Sequence, residues 1–278
     1  MEKPTFLFSK IDESFTEANL LNYDLVMQVT ERSCAYSIFD HGNDRFIALE
    51  SYGVPLPGVI EQNKWLENPL RSVRVIVENN RSTLIPSALF EESEKDTYLN
   101  FSVEPEVEEK VLFDRLTRLE IVNIFGVNIM LYNQIFRFFP GAKVCHLSSL
   151  LIESIWMNFK NLITDKRIFI FVREEAFNMM IFDKKQLVYS NAFHFRAPED
   201  FVYFVIFVME QLNLNPEEVP VTLLGNIRIS TPCFDLIFKY IRNIDFALRN
   251  ESTNYSYVFD DVPGHSFYPL LNPVLCGL

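Results

Sequence analysis

Four carboxylates stand in a repeated pattern. Val29-x-Glu31 is followed by Ile38-Phe39-Asp40, and Val172-x-Glu174 by Ile181-Phe182-Asp183, so that all five matched positions are displaced by 143 residues in a chain of 278. Carboxylates supplied by two copies of one motif could hold a divalent cation and support phosphoryl or phosphodiester chemistry. Strand geometry restricts the idea. About nine residues, each rising ~3.3 Å, separate Glu31 from Asp40 and Glu174 from Asp183, so the four cannot meet in one site. Charges at hairpin turns are also what solubility demands, and both readings stay open for Glu31 and Glu174.

Other reactive side chains form no pattern of comparable specificity. His41, His146, His194 and His265 make no H-x-H or H-E-x-x-H arrangement, and an isolated histidine in a strand or turn is most often structural. Ser148-Ser149 after His146 invite a nucleophile, yet no G-x-S-x-G elbow surrounds them and they suit the cap of a helix. Cys34, Cys145, Cys233 and Cys276 are scattered, without a C-x-x-C pair, and read as reduced, mostly buried thiols.

The elements that must position these residues follow from periodicity. Asp24–Gly53 and Arg167–Phe195 both alternate with period two between charged or polar turns, which marks two meanders of three antiparallel strands. After the first comes a segment, at about 56–120, read as an insertion without counterpart in the second half. It holds a short helix near Trp65, a strand at Val73–Val77, an acidic helix start at Glu91-Glu92-Ser93-Glu94, and strands at Val111–Phe113 and Leu119–Phe125. Spacings of three and four predict a helix over Asn128–Phe139, ended by Pro140-Gly141; a strand at Val144–Leu147 and a helix at Leu150–Phe159 follow. In the second half, Pro198 starts a helix whose body, Phe201–Leu212, is apolar nearly all round and is therefore expected to be buried. Val219–Leu224 reads as a strand, Cys233–Arg242 as a helix, and Ile244–Leu248 as a strand.

Composition narrows the function classes. With 49% hydrophobic residues the chain can bury a large core, and 27 Phe against only 8 Gly favour packed strands and helices over glycine-rich phosphate loops. A formal net charge of −12 opposes nucleic-acid backbones and anionic membranes. No leader pattern is seen at the N-terminus, and the longest apolar run, Phe201–Met209, is too short for a membrane span, so a cytoplasmic protein is expected.

Two copies of a three-strand meander followed by alternating helices and strands resemble the actin, sugar-kinase and heat-shock-chaperone ATPase fold. More narrowly, the paired Glu/Ile-Phe-Asp hairpins, Leu84-Ile85-Pro86-Ser87 and Leu223-Leu224-Gly225-Asn226 resemble the bacterial family catalogued as domain of unknown function 3822. The resemblance implies an α/β fold of duplicated ribonuclease-H-like lobes, one over 1–160 and one over 161–278. It implies no established activity. Enzymes of the fold place phosphates between two turns carrying Asp-x-Gly and bind adenosine beside a strand that ends in two glycines. Here the turns are Val29-Thr30-Glu31-Arg32-Ser33 and Val172-Arg173-Glu174-Glu175-Ala176, both without glycine, and Gly225 alone represents the adenosine motif. Side chains obstruct the approach of backbone to phosphate, and the acidic pair in the second turn repels it.

These observations predict a non-catalytic actin-like protein that binds another protein as a scaffold or regulator, with no cofactor. The alternative is a divergent ATPase or small-molecule kinase using ATP and Mg, with Glu31, Glu174 and Gly225 as the interlobe cleft candidates. A metal nuclease using Glu31 or Glu174 is a third reading, disfavoured by the acidity.

Overall fold

The computed structural model describes residues 6–104, 106 and 108–272. The chain divides into two units: the first holds the residues through Glu153 with Glu251–Asp261 and those from Pro269 onward, the second Ser154–Asn250 with Val262–Tyr268.

The first unit begins with β1 (Phe6–Ile11), then the expected meander β2 (Tyr23–Val29), β3 (Cys34–Asp40) and β4 (Arg45–Tyr52). Next come α1 (Leu56–Gln62) and β5 (Ser72–Val77). β5 pairs parallel with β2, Val29 opposite Val77, so it belongs to the main sheet. The inserted segment is consequently shorter than 56–120. It runs through β6 (Ser82–Pro86), α2 (Lys95–Ser102), β7 (Glu109–Leu116) and β8 (Ile121–Asn128), whose strands form their own sheet in the order β6-β8-β7. α3 (Ile129–Phe138), β9 (Lys143–His146) and α4 (Leu147–Phe159) complete the lobe, and the unit boundary falls within α4.

The second unit has β10 (Arg167–Val172), β11 (Ala176–Asp183), β12 (Gln186–His194), α5 (Pro198–Gln211), β13 (Val221–Gly225), α6 (Pro232–Ile237) and β14 (Ile244–Phe246). A short β15 (Asn254–Tyr255) then pairs parallel with β4 of the first unit, to which it belongs. The strand order β4-β3-β2-β5-β9 in the first unit equals β12-β11-β10-β13-β14 in the second, with antiparallel meanders and parallel later strands in both. The duplication read from five residues is thus a duplication of whole lobes.

Each unit has its own apolar core. In the first, β2, β3 and β5 contribute Leu25, Met27, Ile38, Val75 and Val77, and α1 adds Leu56, Val59 and Ile60 at helical spacing. In the second, Ile168, Ile170, Phe177 and Met179 of the meander meet Phe201 and Val205 of α5. Burying one such side chain contributes about 1.5–3 kcal/mol. Among the buried acidic side chains of the first unit, Glu50 on β4 accepts hydrogen bonds from the hydroxyls of Ser9 at 2.7 Å, Tyr52 at 2.7 Å and Tyr36, joining β1, β3 and β4. Burial first, and then the neighbouring carboxylate, push the phenols of Tyr36 and Tyr52 above their ordinary range.

At the start of α1, Pro55 sits at the N-cap and Pro57 in the first turn, where missing N–H groups do no harm. Three local expectations are corrected. Ser148 and Ser149 lie inside the first turn of α4 rather than capping it; the ring of His146 takes that role, its Nδ1 accepting the Ser148 N–H at 3.2 Å. Helix α5, expected to be buried all round, leaves a stripe in solvent, with Tyr203 62% and Phe207 44% exposed. α6 is also shorter than expected, because turns take over after Ile237. Among the described residues no helix is long and apolar enough to cross a membrane. Cys34 and Cys145 are buried, Cys233 is half-buried, and Cys276 lies outside the described residues.

Candidate functional site

The first glycine-free turn closes between β2 and β3, where Thr30 N donates to Ser33 O at 2.9 Å. Glu31 and Arg32 are the two exposed residues at its tip, both with negative φ. The Thr30 hydroxyl folds back over the turn: Oγ1 accepts the backbone N–H of Arg32 at 3.1 Å and of Ser33 at 2.8 Å, and lies 2.8 Å from Ser33 Oγ. Such a local side-chain acceptor satisfies the donors that an anion would otherwise use. Sequence reasoning looked for the missing glycine and passed over Thr30, whose signal is the Thr-x-x-Ser turn spacing.

The second turn repeats this closure: Arg173 N donates to Ala176 O at 2.8 Å, with Glu174 and Glu175 exposed at the tip. Gly225 ends the neighbouring strand β13 and pairs with Val172, so Glu174 and Gly225 stand at the same end of the second unit's sheet. Glu31 belongs to the first unit. Gly225 has φ +85, and a Cβ there would sit 2.2 Å from Val172 O and 3.0 Å from the Phe171 ring. Only glycine fits that conformation and that approach. Its N–H donates to His265 O at 2.8 Å, and Asn226 N–H donates to Val172 O at 2.7 Å. His265 Nε2 in turn donates to Ile227 O at 2.8 Å. Burial, only partly offset by the bond to Ile227, holds the His265 imidazole below its ordinary pKa. The loop after β13 is thereby clamped by protein groups. The equivalent bond in the first unit joins Glu78 N to Val29 O at 2.9 Å.

At the far strand ends, Asp40 accepts from Gly42 N at 2.8 Å and Asn43 Nδ2 at 2.7 Å, an Asx turn that builds the β3–β4 hairpin. Asp183 precedes Lys184 and Lys185, both with positive φ, at the β11–β12 turn. Within each unit, Asp40 lies at the opposite strand end from Glu31, and Asp183 from Glu174. Among the described residues no group of three His, Cys, Asp or Glu side chains is placed to hold a metal ion.

A polar cluster that the sequence did not disclose lies inside the first unit. Asp114 on β7 accepts the His146 N–H at 2.8 Å and the Ser149 hydroxyl. Asn123 on β8 donates through Nδ2 to Ser149 Oγ at 2.8 Å and faces His146 Nδ1 at 3.3 Å. The other ring nitrogen, Nε2, donates to Asn79 Oδ1 at 3.1 Å, and Asn79 Nδ2 donates to Gly126 O at 2.8 Å. Burial drives Asp114 up to about 7; the bonds from His146 and Ser149 oppose this, and Glu153 adds to it. Ser, His and Asp are the residue types of a nucleophilic triad, but Ser149 and His146 are fully buried and the serine bonds Asp114 and Asn123 instead. The cluster fastens the inserted sheet to the main one. Asp114 and Asn123 at inward positions of apolar strands, with Ser148-Ser149 in an apolar helix, were its only sequence signal.

The sequence model of a family described as "protein of unknown function (DUF3822)" matches residues 12–244. A solved structure from Bacteroides thetaiotaomicron, a protein with actin-like ATPase fold and unknown function, is similar with a TM-score of 0.78 and 22% identity over 88% of this chain and 97% of that one. The PilM-PilN type IV pilus biogenesis complex is similar with a TM-score of 0.56 and 11% identity, over 91% of this chain and 98% of that one. No curated protein matches the sequence. The fold is the actin-like ATPase fold, in duplicated α/β lobes.

Proposed function

We propose that this chain, which belongs to the DUF3822 family, is a non-catalytic actin-like protein that works by binding another protein, its nucleotide site having degenerated. The observation that carries the reading is the first turn, where Thr30 Oγ1 occupies the N–H groups of Arg32 and Ser33. A phosphate entering there has to displace a hydroxyl already held in place, without a glycine to admit it. The acidic tips Glu31 and Glu174-Glu175 add repulsion. Support for protein binding comes from the likeness to the PilM-PilN complex, in which a protein of this fold is part of an assembly.

The second reading is a divergent ATPase or small-molecule kinase, with ATP and Mg as cofactors and Glu31, Glu174 and Gly225 near the nucleotide. Gly225 favours it, as a glycine after a strand at the position expected for an adenosine motif. The steric demand at Gly225 accounts for that glycine without a ligand. Isothermal titration with Mg-ATP and Mg-ADP separates the two readings. The scaffold reading expects no saturable heat, and clear binding with turnover overturns it.

A further inference from the structure

Helix α5 breaks the usual division of a surface helix into an apolar inner face and a polar outer one. Its outward stripe reads Glu199, Tyr203, Ile206, Phe207, Glu210, at offsets of four, three, one and three, and the two exposed aromatic rings stack at 6.0 Å. Beside the stripe, Leu236 of α6 and the following Tyr240, itself more than half exposed, form the opposite wall of a groove of about 370 Å³. The groove lies wholly within the second unit. Large apolar side chains kept in water along one contiguous groove mark an interaction site.

Charge defines the occupant. Both charged residues lining the groove are glutamates, and α5 contains no Lys or Arg. Among the described residues neither Glu199 nor Glu210 makes an ion pair, whereas the remaining acid of the helix, Asp200, is engaged with the N–H groups of Arg196 and Ala197. Eleven residues separate the two glutamates, about 16 Å along a helix, or three turns. A second copy of this chain is a poor occupant: two copies meeting on this face would oppose Glu199 and Glu210 to the same acids.

We propose that the α5–α6 groove binds an amphipathic helix of a partner protein, one whose apolar stripe is flanked at both ends by a Lys or Arg, the two bases about three turns apart. The proposal rests on the protein-binding reading above and names the surface that would serve it. Tyr203 and Phe207 fill the partner's apolar stripe, and the glutamates pair with its terminal bases, fixing register more than affinity.

The test uses the full-length chain and a displayed library of 18-residue peptides that carry apolar residues at i, i+3, i+4 and i+7, flanked at random by Lys, Arg, Glu or Gln. Enriched peptides are expected to carry bases at both ends, and to bind the Phe207→Glu and Tyr203→Glu variants at least about tenfold more weakly. Both positions are exposed, so circular dichroism melts of these variants should match the parent. In the Glu199→Lys/Glu210→Lys double variant the preference should invert towards acid-flanked peptides. Absence of enrichment, enrichment without preference for flanking bases, or unchanged binding to Phe207→Glu overturns the proposal. So does a dimer of the parent chain that Phe207→Glu dissolves, since the groove then serves a second copy. These results are independent of the nucleotide titration: peptides that bind elsewhere defeat the groove and leave the scaffold reading standing, whereas ATP turnover defeats the scaffold reading alone.

Discussion

Thr30 Oγ1 accepts the backbone N–H of Ser33 at 2.8 Å, closing the turn between β2 and β3. Replacing the hydroxyl by a methyl in Thr30→Val leaves the N–H groups of Arg32 and Ser33 to water. A loss of about 1 kcal/mol in urea unfolding is expected, in the range of a helix N-cap deletion. Unchanged stability would mean that water replaces the hydroxyl fully. Mg-ATP binding should not appear in the variant, because the obstructing side chains of Glu31 and Arg32 remain.

Gly225→Ala is expected to destabilise the protein without any ligand present. The added Cβ meets the Val172 carbonyl at 2.2 Å in a backbone conformation of φ +85, and roughly 3 kcal/mol should be lost. Urea denaturation of parent and variant measures it. A loss below ~1 kcal/mol would show that the loop relaxes easily and that glycine is kept there for another reason.

Asp114 should make stability fall as pH rises. Its carboxyl is raised from 3.8 to about 7 in the folded chain, chiefly by burial. Between those values the folded state holds a proton that the unfolded state has released, so its contribution is complete below pH ~4 and is lost as pH climbs through about 7. The loss is on the order of 4 kcal/mol at most, given the coupling to Glu153. Asp114→Asn keeps an acceptor for the His146 N–H and removes the titration. The difference between parent and variant unfolding free energies should therefore slope between pH 4 and 7 and be flat above; a flat difference throughout would refute the assignment.

His146 should be the Nε2–H tautomer. Nδ1 accepts the Ser148 N–H, and Nε2 faces the Asn79 carbonyl oxygen at 3.1 Å. Long-range ¹H–¹⁵N correlation spectra distinguish the tautomers directly. A protonated Nδ1 would require Asn79 and Asn123 to be turned about, and the cluster to be rebuilt.

The meanders were legible because strands with charged turns leave a period-two trace, and Glu31 and Glu174 stand where that trace places them, at the tips. The insertion was overestimated because α1 has only seven residues and opens with Pro55-Leu56-Pro57-Gly58, which reads as a turn. Its Leu56, Val59 and Ile60 carry the helical spacing, too briefly to outweigh the prolines. The polar cluster was illegible for a different reason. Asp114 and Asn123 reach His146 and Ser149 across 32 and 26 residues, respectively, and no local motif spans such a distance. The apolar run of α5 was visible, but burial does not follow from hydrophobicity alone, and Tyr203 and Phe207 stay exposed.

The first unit is discontinuous in the chain, and this sets an order of events during synthesis. Asp12 receives the hydroxyl of Ser256, and Ser37 donates to Leu270 O at 2.6 Å, separations of 244 and 233 residues. A ribosome adding about 5–20 residues per second needs on the order of 12–50 s to deliver those partners. For that interval the nascent first lobe carries two buried polar positions without their final bonds, while the residues of the second meander are already emerging. The lobe that begins first is thus the one that finishes last.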